Sequence, residues 1–296
     1  VASDITKLYG LTRRTRTAAI NASILPKMLN TANSTEESVR KAGVEVPLMI
    51  MRGDGGVMEI NEMKKRPVLT MLSGPAASVM GSLMYLRASN GVYFEVGGTT
   101  TNIGVIKNGR PAIDYSVVGG HRTYISSLDV RVLGVAGGSM IRVNKSGVHD
   151  VGPRSAHIAG LDYAVFTDEE EIVEPRLEFF SPKEGDPEDY VAIRLKSGKR
   201  ITITNSCAAN VLGLVTPKDF SYGSVNSARK AMQPIADYLN TTVEDVAAQI
   251  LTRAYEKIEP IIMELADKYR LEHDQISLVG VGGGATSLIG FCANKM

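Results

Sequence analysis

Apolar side chains recur every three to four residues in TRTAAINASILPKML, so residues 11 to 43 read as helical, with Pro26 as a predicted kink. Within that span STEESVRKAG predicts a second start, with Ser34 as N-cap, Glu37 three residues on and Gly43 as the stop. VPLMIMRGDGG predicts a short buried strand entering a turn at Gly53 to Gly56. VLTML reads as strand, and SGPAA then leads into a helix, ASVMGSLMYLRAS, that runs to residue 89. Ser73 or Gly74 precedes that helix and Pro75 lies in its first turn.

From residue 92 the pattern shortens. VYFEV, TNIGVIK and AIDYSVV are strand-like and separated by Gly-Gly and by Asn108-Gly109, a strong hairpin signal. VRVLGVAGGSMIRVNKSGVHDVG has strand-like flanks around Gly137 and Gly138. The mixed acidic and basic stretch 166–200 predicts an exposed β insertion whose charges form a solvated face. Helical periodicity returns in SVNSARKAMQPIADYL and TVEDVAAQILTRAYEKIEPIIMELADKY, and ISLVGVGGGATSLIGF reads as strand, glycine turn and helix. The predicted class is therefore α/β. Its segments are 1–91 leading into the core, 92–165 with the glycine hairpin, 166–200 as insertion, and 201–296 with the last strand-turn-helix.

Two glycine segments suit phosphate or nucleotide binding. In FEVGGTTTN, Gly97 and Gly98 let backbone N–H groups approach an anion, while Thr99, Thr100 and Thr101 carry hydroxyls; Glu95 could hold a hydrated Mg²⁺ or orient a water. The composition is equally that of an ordinary turn. Gly282, Gly283 and Gly284 open a helix whose positive end faces the turn, or mark a close helix–strand crossing. Neither segment is a GxGxxG fingerprint or a lysine-bearing phosphate loop.

Composition narrows the partners. The 296 residues are 44% hydrophobic and carry 33 basic against 32 acidic groups, with no basic stripe to neutralise a nucleic-acid backbone. Two cysteines are too few for a disulfide framework or a thiolate metal site, which predicts a reducing, cytoplasmic setting. No apolar run approaches the ~18 residues of a membrane span, and the first residues lack a secretory pattern. The absent initiator Met and the uncapped helical ending predict a fragment of a longer protein.

Eight ordered stretches together carry a family resemblance: TRTAAINASILPKM, MIMRGDGGV, TMLSGPAASVMG, FEVGGTTTNIGV, LDVRVLGVAGGSM, GVHDVGPRSA, ITITNSCAANVLG and LVGVGGGATSL. The chain resembles the hydantoinase A and 5-oxoprolinase family, which includes ATP-dependent N-methylhydantoinases and acetone or acetophenone carboxylase relatives. The resemblance implies actin-like, ribonuclease H-like ATPase lobes that use ATP and Mg²⁺ on a cyclic amide or carbonyl substrate, with a hydantoinase B-like second subunit and self-association as expected partners. It assigns Gly97, Gly98, Thr99, Thr100 and Thr101 to phosphate, Gly282, Gly283 and Gly284 to adenosine, and Gly137 and Gly138 to the cofactor. Glu95 becomes the metal residue, and Asp129, His121 and Arg131 the expected catalytic or substrate-side groups. The family's first phosphate hairpin has no counterpart upstream of residue 92.

The chain departs from that pattern at Glu95, Asn102 and Asn205, where the family usually has Asp, and at Arg131, where it often has His. An amide cannot act as a base or balance a metal charge. The expected function is ATP-dependent hydrolysis of a hydantoin- or oxoproline-type amide. The alternatives are a carboxylase subunit, a nucleotide-binding regulatory or assembly module, and a small-molecule kinase.

The remaining residues take simpler readings. Ser73 is expected to cap a helix rather than act as nucleophile, Cys207 to be a packed residue, and Asp54 to be a turn residue. His121 is expected on the surface, and Asp129 either orients Arg131 as an ion pair or serves metal or substrate. Met49, Met51, Met71, Met80 and Met84 are expected in the core.

Overall fold

The computed structural model describes residues 1–86, 90–272 and 276–296, so the predicted helix end at 87–89 lies outside the described residues. The elements in chain order are α1 (Ala2–Thr6), α2 (Leu11–Lys41), β1 (Met49–Met51), β2 (Val57–Glu59), α3 (Ile60–Lys65) and α4 (Ser73–Leu86). Then follow β3 (Gly91–Val96), β4 (Thr101–Lys107), β5 (Arg110–Pro111), β6 (Ile113–Val118), β7 (His121–Leu128), β8 (Val130–Leu133), β9 (Ser139–Asn144) and β10 (Gly147–Ser155). The last part holds α5 (Ala156–Ala159), β11 (Asp162–Tyr163), β12 (Arg176–Phe180), β13 (Tyr190–Arg194), β14 (Arg200–Thr202), α6 (Asn205–Val211), α7 (Val225–Leu239), α8 (Val243–Tyr269), β15 (Ser277–Val281) and α9 (Ala285–Lys295). The class is mixed α/β. Two compact units divide the chain, Val1–Ser89 with Gly104–Val130, and Asn90–Ile103 with Arg131–Met296, so the boundary passes through β4.

In the first unit, α2 is one continuous helix. It runs through Pro26 and past Ser34, whose carbonyl accepts from the Ser38 hydroxyl, so Ser34 is no cap. The polar run after Pro26 still favours helix, and the stop at Gly43 (φ 81°) falls where predicted. Asn21 on α2 accepts the Val68 N–H at 3.2 Å, and residues Pro67–Thr70 form a 3₁₀ turn instead of the expected strand, with Pro67 fixing its first position. The helix α4 starts at Ser73 itself, one residue earlier than a capping role requires, after Leu72 at φ 60°. Gly53 must be glycine, because a Cβ there would lie 1.8 Å from the Met71 carbonyl.

The methionine expectation fails. Met49 and Met84 are exposed and Met51, Met71 and Met80 are half-buried; β1 is a hairpin strand with only partial cover. Asn108 (φ 52°) and Gly109 (φ 69°) make the predicted hairpin, and Gly119 and Gly120 make a second one joining β6 to β7.

In the second unit, α7 and α8 are amphipathic as their spacing predicts, burying Ala228, Ala231, Met232, Ile235 and Ala236, and Val246, Ala247, Ile250, Leu251, Ala254 and Ile258. Ser224 and Thr242 cap them by accepting the N–H three residues on, a contact worth about 1 kcal/mol. The sheet order β10-β9-β13-β14-β11 places β13 centrally with four buried residues. Residues 190–193 are therefore core, not exposed insertion, while Arg194 is exposed; the short continuous apolar run of YVAI was outweighed in the sequence by the flanking charges. The parallel pair β15 and β3 runs in register from Ser277 beside Gly91 to Val281 beside Glu95. Both strands thus end level, and each feeds a glycine turn. Among the described residues no helix is long and apolar enough to cross a membrane.

Arg142 on β9 ties this sheet together through a double bond to Asp189 (2.7 and 3.0 Å) and one to Asp150 (3.1 Å), and His149 Nε2 meets Asp189 at 2.8 Å. Burial alone would raise the Asp189 carboxyl, but hydrogen bonds and charge from Arg142 and His149 hold it below the usual carboxylate range. That stabilisation exists above the unfolded value and is lost as pH falls through the folded one. Asp189→Asn should lower stability at pH 7 by about 1 kcal/mol, with the deficit shrinking below about pH 4, as read by urea unfolding across pH.

Candidate functional site

Three glycine turns of the second unit are joined by backbone hydrogen bonds. The carbonyls of Val96, Gly97 and Gly98 accept, in order, from the N–H groups of Gly284 (3.0 Å), Gly137 (3.1 Å) and Gly138 (3.0 Å). Glycine is demanded on both sides of this junction. A Cβ on Gly284 would lie 2.8 Å from the Gly97 oxygen, and one on Gly138 would lie 2.5 Å from the Gly98 oxygen and 1.7 Å from the Tyr163 hydroxyl. Gly282 adopts φ 89°, with the Val96 oxygen 2.5 Å from where its Cβ would stand. The start of α6 fixes the 135–138 turn from behind: Ser206 donates its N–H (2.8 Å) and hydroxyl (3.0 Å) to the Gly137 oxygen, and Asn205 Nδ2 donates to the Ala136 oxygen at 2.8 Å.

This corrects the picture of which glycines can meet an anion. The N–H groups of Gly137, Gly138 and Gly284 are already used in the junction. No hydrogen bond among the described residues engages the N–H of Gly98, Thr99 or Thr100, which form the exposed side of the hairpin. The three threonines differ as well. Thr101 is fully buried and gives its hydroxyl to the Val135 carbonyl, Thr99 shares a hydrogen bond with Ser155 (2.9 Å), and Thr100 is exposed.

The joined turns form the floor of a cavity of about 270 Å³, whose wall is completed by Ser206, Ser221 and the rings of Tyr163, Phe166 and Phe220. Tyr163 and Phe166 stack with centroids 5.6 Å apart and planes at 28°. Burial pushes the Tyr163 hydroxyl above the usual phenol range. A second cavity of about 610 Å³ shares Gly98, Tyr163 and Phe166 and adds Thr99, His157 and Asp162. The aromatic wall was not anticipated from sequence; the Tyr163-x-x-Phe166 spacing and a lone Phe220 in TPKDFSYGS carry little signal apart from the fold.

The predicted carboxylate site takes a specific form. Glu95, the penultimate residue of β3, is half-buried, and Asn102 Nδ2 donates to its Oε2 at 2.9 Å. The longer acid and the amide therefore work as a pair: the amide orients the carboxylate, whereas a second carboxylate there would repel it. Among the described residues no group of three or more His, Cys, Asp or Glu is placed to hold a metal. One carboxylate with waters and phosphate oxygens is nonetheless a sufficient donor set for Mg²⁺.

The expected substrate-side residues fall elsewhere. Arg131 pairs with Glu264 on α8 (2.7 Å), which gives its charge a carboxylate on the neighbouring helix. His121 is exposed at the start of β7, as expected for a surface residue. Asp129 follows β7, with its N–H donating to the Ala112 carbonyl. None of the three lines either cavity. Cys207 is fully buried with its thiol raised by burial, and Cys292 is buried and pushed up to about 12, so both are packing residues. Asp54 accepts from the Gly56 N–H in its turn.

The family model for hydantoinase/oxoprolinase matches residues 14–296. Acetophenone carboxylase gamma subunit from Aromatoleum aromaticum is 28% identical over 167 residues, covering 53% of this chain and 22% of that protein. Caprolactamase subunit alpha from Pseudomonas jessenii is 29% identical over 147 residues, covering 48% of this chain and 21% of that protein. The crystal structure of the ATP-dependent caprolactamase from Pseudomonas jessenii superposes with a TM-score of 0.68 at 21% identity, over 99% of this chain and 39% of that one, which is a likeness of fold consistent with an actin-like lobe. The matched stretch thus spans under a quarter of either curated relative.

Two variants test the junction. Gly138→Ala should destabilise the second unit by about 1–3 kcal/mol or more through forced overlap, whereas Gly290→Ala, with open space around it on α9, should be neutral or stabilising by about 0.5–1 kcal/mol; thermal melts compare them. Asn205→Asp should cost about 1–3 kcal/mol at pH 7 by setting an ionised acceptor against the Ala136 carbonyl. Its buried carboxyl would titrate above the ordinary range, so the deficit should shrink as pH falls from 7 to 5, as read by urea midpoints.

Proposed function

The chain belongs to the hydantoinase/oxoprolinase family, and on that premise we propose that it is the nucleotide-binding part of an ATP-dependent enzyme that opens a cyclic amide of the hydantoin, oxoproline or lactam type. The observation that carries this reading is the junction of three glycine turns at the ends of the parallel strands β3 and β15, since α/β sheets bind ligands beyond the carboxyl ends of their strands. The unengaged N–H groups of Gly98, Thr99 and Thr100, with the Thr100 hydroxyl, suit phosphate oxygens. The cavity behind them, walled by aromatic rings and glycine backbone, suits the nucleoside.

Phosphoryl transfer from ATP to the amide oxygen would release ADP and activate the carbonyl carbon. One water would add there, the C–N bond would break with the protonated ring nitrogen as leaving group, and a second water would hydrolyse the resulting acyl phosphate to the ring-opened acid and phosphate. The protein's work in such chemistry is placement and charge stabilisation. Glu95, held by Asn102, would bind Mg²⁺, whose contribution is to neutralise phosphate charge. Substrate-side groups are proposed, from the second cavity, at His157 and Asp162. A partner subunit fits the naming of both relatives as subunits of larger enzymes, and the reducing cytoplasm fits two buried free thiols.

The Glu95–Asn102 pair favours a second reading, a nucleotide-binding module with little catalysis, because a neutral amide stands where the resemblance has a second carboxylate. ADP release by the full-length protein with Mg·ATP separates the two. Stimulation of at least tenfold by hydantoin, 5-oxoproline, caprolactam or a ketone with bicarbonate supports the enzyme and assigns hydrolase or carboxylase. Nucleotide binding without stimulation, with any partner subunit present, contradicts it.

A further inference from the structure

Phe220 is 89% exposed and Phe166 54% exposed, yet both rings face one cavity. Leaving such area in water is unfavourable unless something flat covers it. Phe220 lies against Gly283, where a Cβ would come within 2.6 Å of its Cδ1, so that glycine lets the ring lie on the turn backbone. Phe166 is backed by the Tyr163 ring. The cavity therefore offers two supported aromatic faces.

Its hydrogen-bonding side chains are Ser206, Ser221 and Tyr163; the Tyr163 hydroxyl lies against the Gly98 and Gly138 backbone, and the two serines are engaged. Ser206 donates to the Gly137 carbonyl, and the Ser221 hydroxyl bonds that of Thr286 at 2.8 Å. Among the described residues no carboxylate or amide side chain lines the wall. Those are the groups that distinguish a purine's edge, since adenine presents a donor at N6 where guanine presents an acceptor at O6. Stacking, by contrast, is indifferent to base identity because every base has a π face.

Building on the nucleotide-binding reading above, we propose that this cavity grips the base through Phe220 and Phe166 without reading its edge, so that the site takes guanosine and adenosine triphosphates alike. The specificity of the reaction then resides in the amide or carbonyl substrate and not in the nucleotide.

Calorimetric titration of the full chain with Mg·ATP, Mg·GTP and Mg·tripolyphosphate tests this, alongside Phe220→Ala and Phe220→Tyr. The expected result is ATP and GTP within about threefold of each other. Phe220→Ala should weaken both by roughly five- to hundredfold, the worth of one base–aromatic stack, while Phe220→Tyr stays near the parent and tripolyphosphate is unchanged throughout. GTP weaker than ATP by more than about thirtyfold, or Phe220→Ala leaving both affinities intact, overturns the proposal while nucleotide binding itself stands. Failure of both nucleotides to bind folded protein overturns the nucleotide-binding reading together with this one.

Discussion

Three carbonyl oxygens in succession, those of Val96, Gly97 and Gly98, accept N–H groups from two remote places in the sequence, Gly284 and the Gly137–Gly138 pair. This junction is the constraint on which the second unit's site depends. Backbones can approach so closely only where no side chain intervenes, which explains glycine at 138, 282 and 284 more directly than any ligand does. The level ends of β3 and β15 bring two of the turns together, and the start of α6 holds the third. With these carbonyls turned toward the N–H groups of the other two turns, the N–H groups of Gly98, Thr99 and Thr100 are left unengaged among the described residues, and they are the face proposed above for an anion.

The departures from the family pattern read differently once the contacts are known. Asn205 is fully buried and donates to a carbonyl, where an ionised Asp could not; the amide belongs to the architecture of the turn. Its Oδ1 is buried with no hydrogen-bond partner among the described residues, an arrangement that adds to the local cost. Asn102 is bound to Glu95, and the two replacements make one hydrogen-bonded unit. Arg131 meets Glu264, so its charge is answered within the same unit. These residues are coupled to neighbours, which is why substitution counts at isolated positions say little about activity.

Much of this was legible in the chain. The period of 3.6 in α7 and α8, the Asn108-Gly109 hairpin and the strand-turn-helix at 277–295 are local signals, and local physics decides them. The glycine turns were legible one at a time. Their joining was not, since hydrogen bonds between Gly97 and Gly137 depend on tertiary placement. The same holds for β13, which is flanked by β12 along one side and by β9 and β14 along the other, and for Pro67–Thr70, where Asn21 supplies a hydrogen bond from a remote helix. Met49 and Met84 show the converse: an apolar side chain at strand or helix spacing need not find cover. Phe220 could not be assigned from sequence because an isolated aromatic in a loop has no periodicity to interpret.

The most direct test of the account is amide hydrogen exchange of the full-length protein, with and without Mg·ATP, followed in peptides covering residues 96–101, 135–139 and 282–286. The account predicts that nucleotide slows exchange in all three segments together, most strongly at Gly98 to Thr100, whose N–H groups have no partner among the described residues. Protection confined to one segment, or to none while nucleotide is demonstrably bound, would contradict the claim that the joined glycine turns are the nucleotide site.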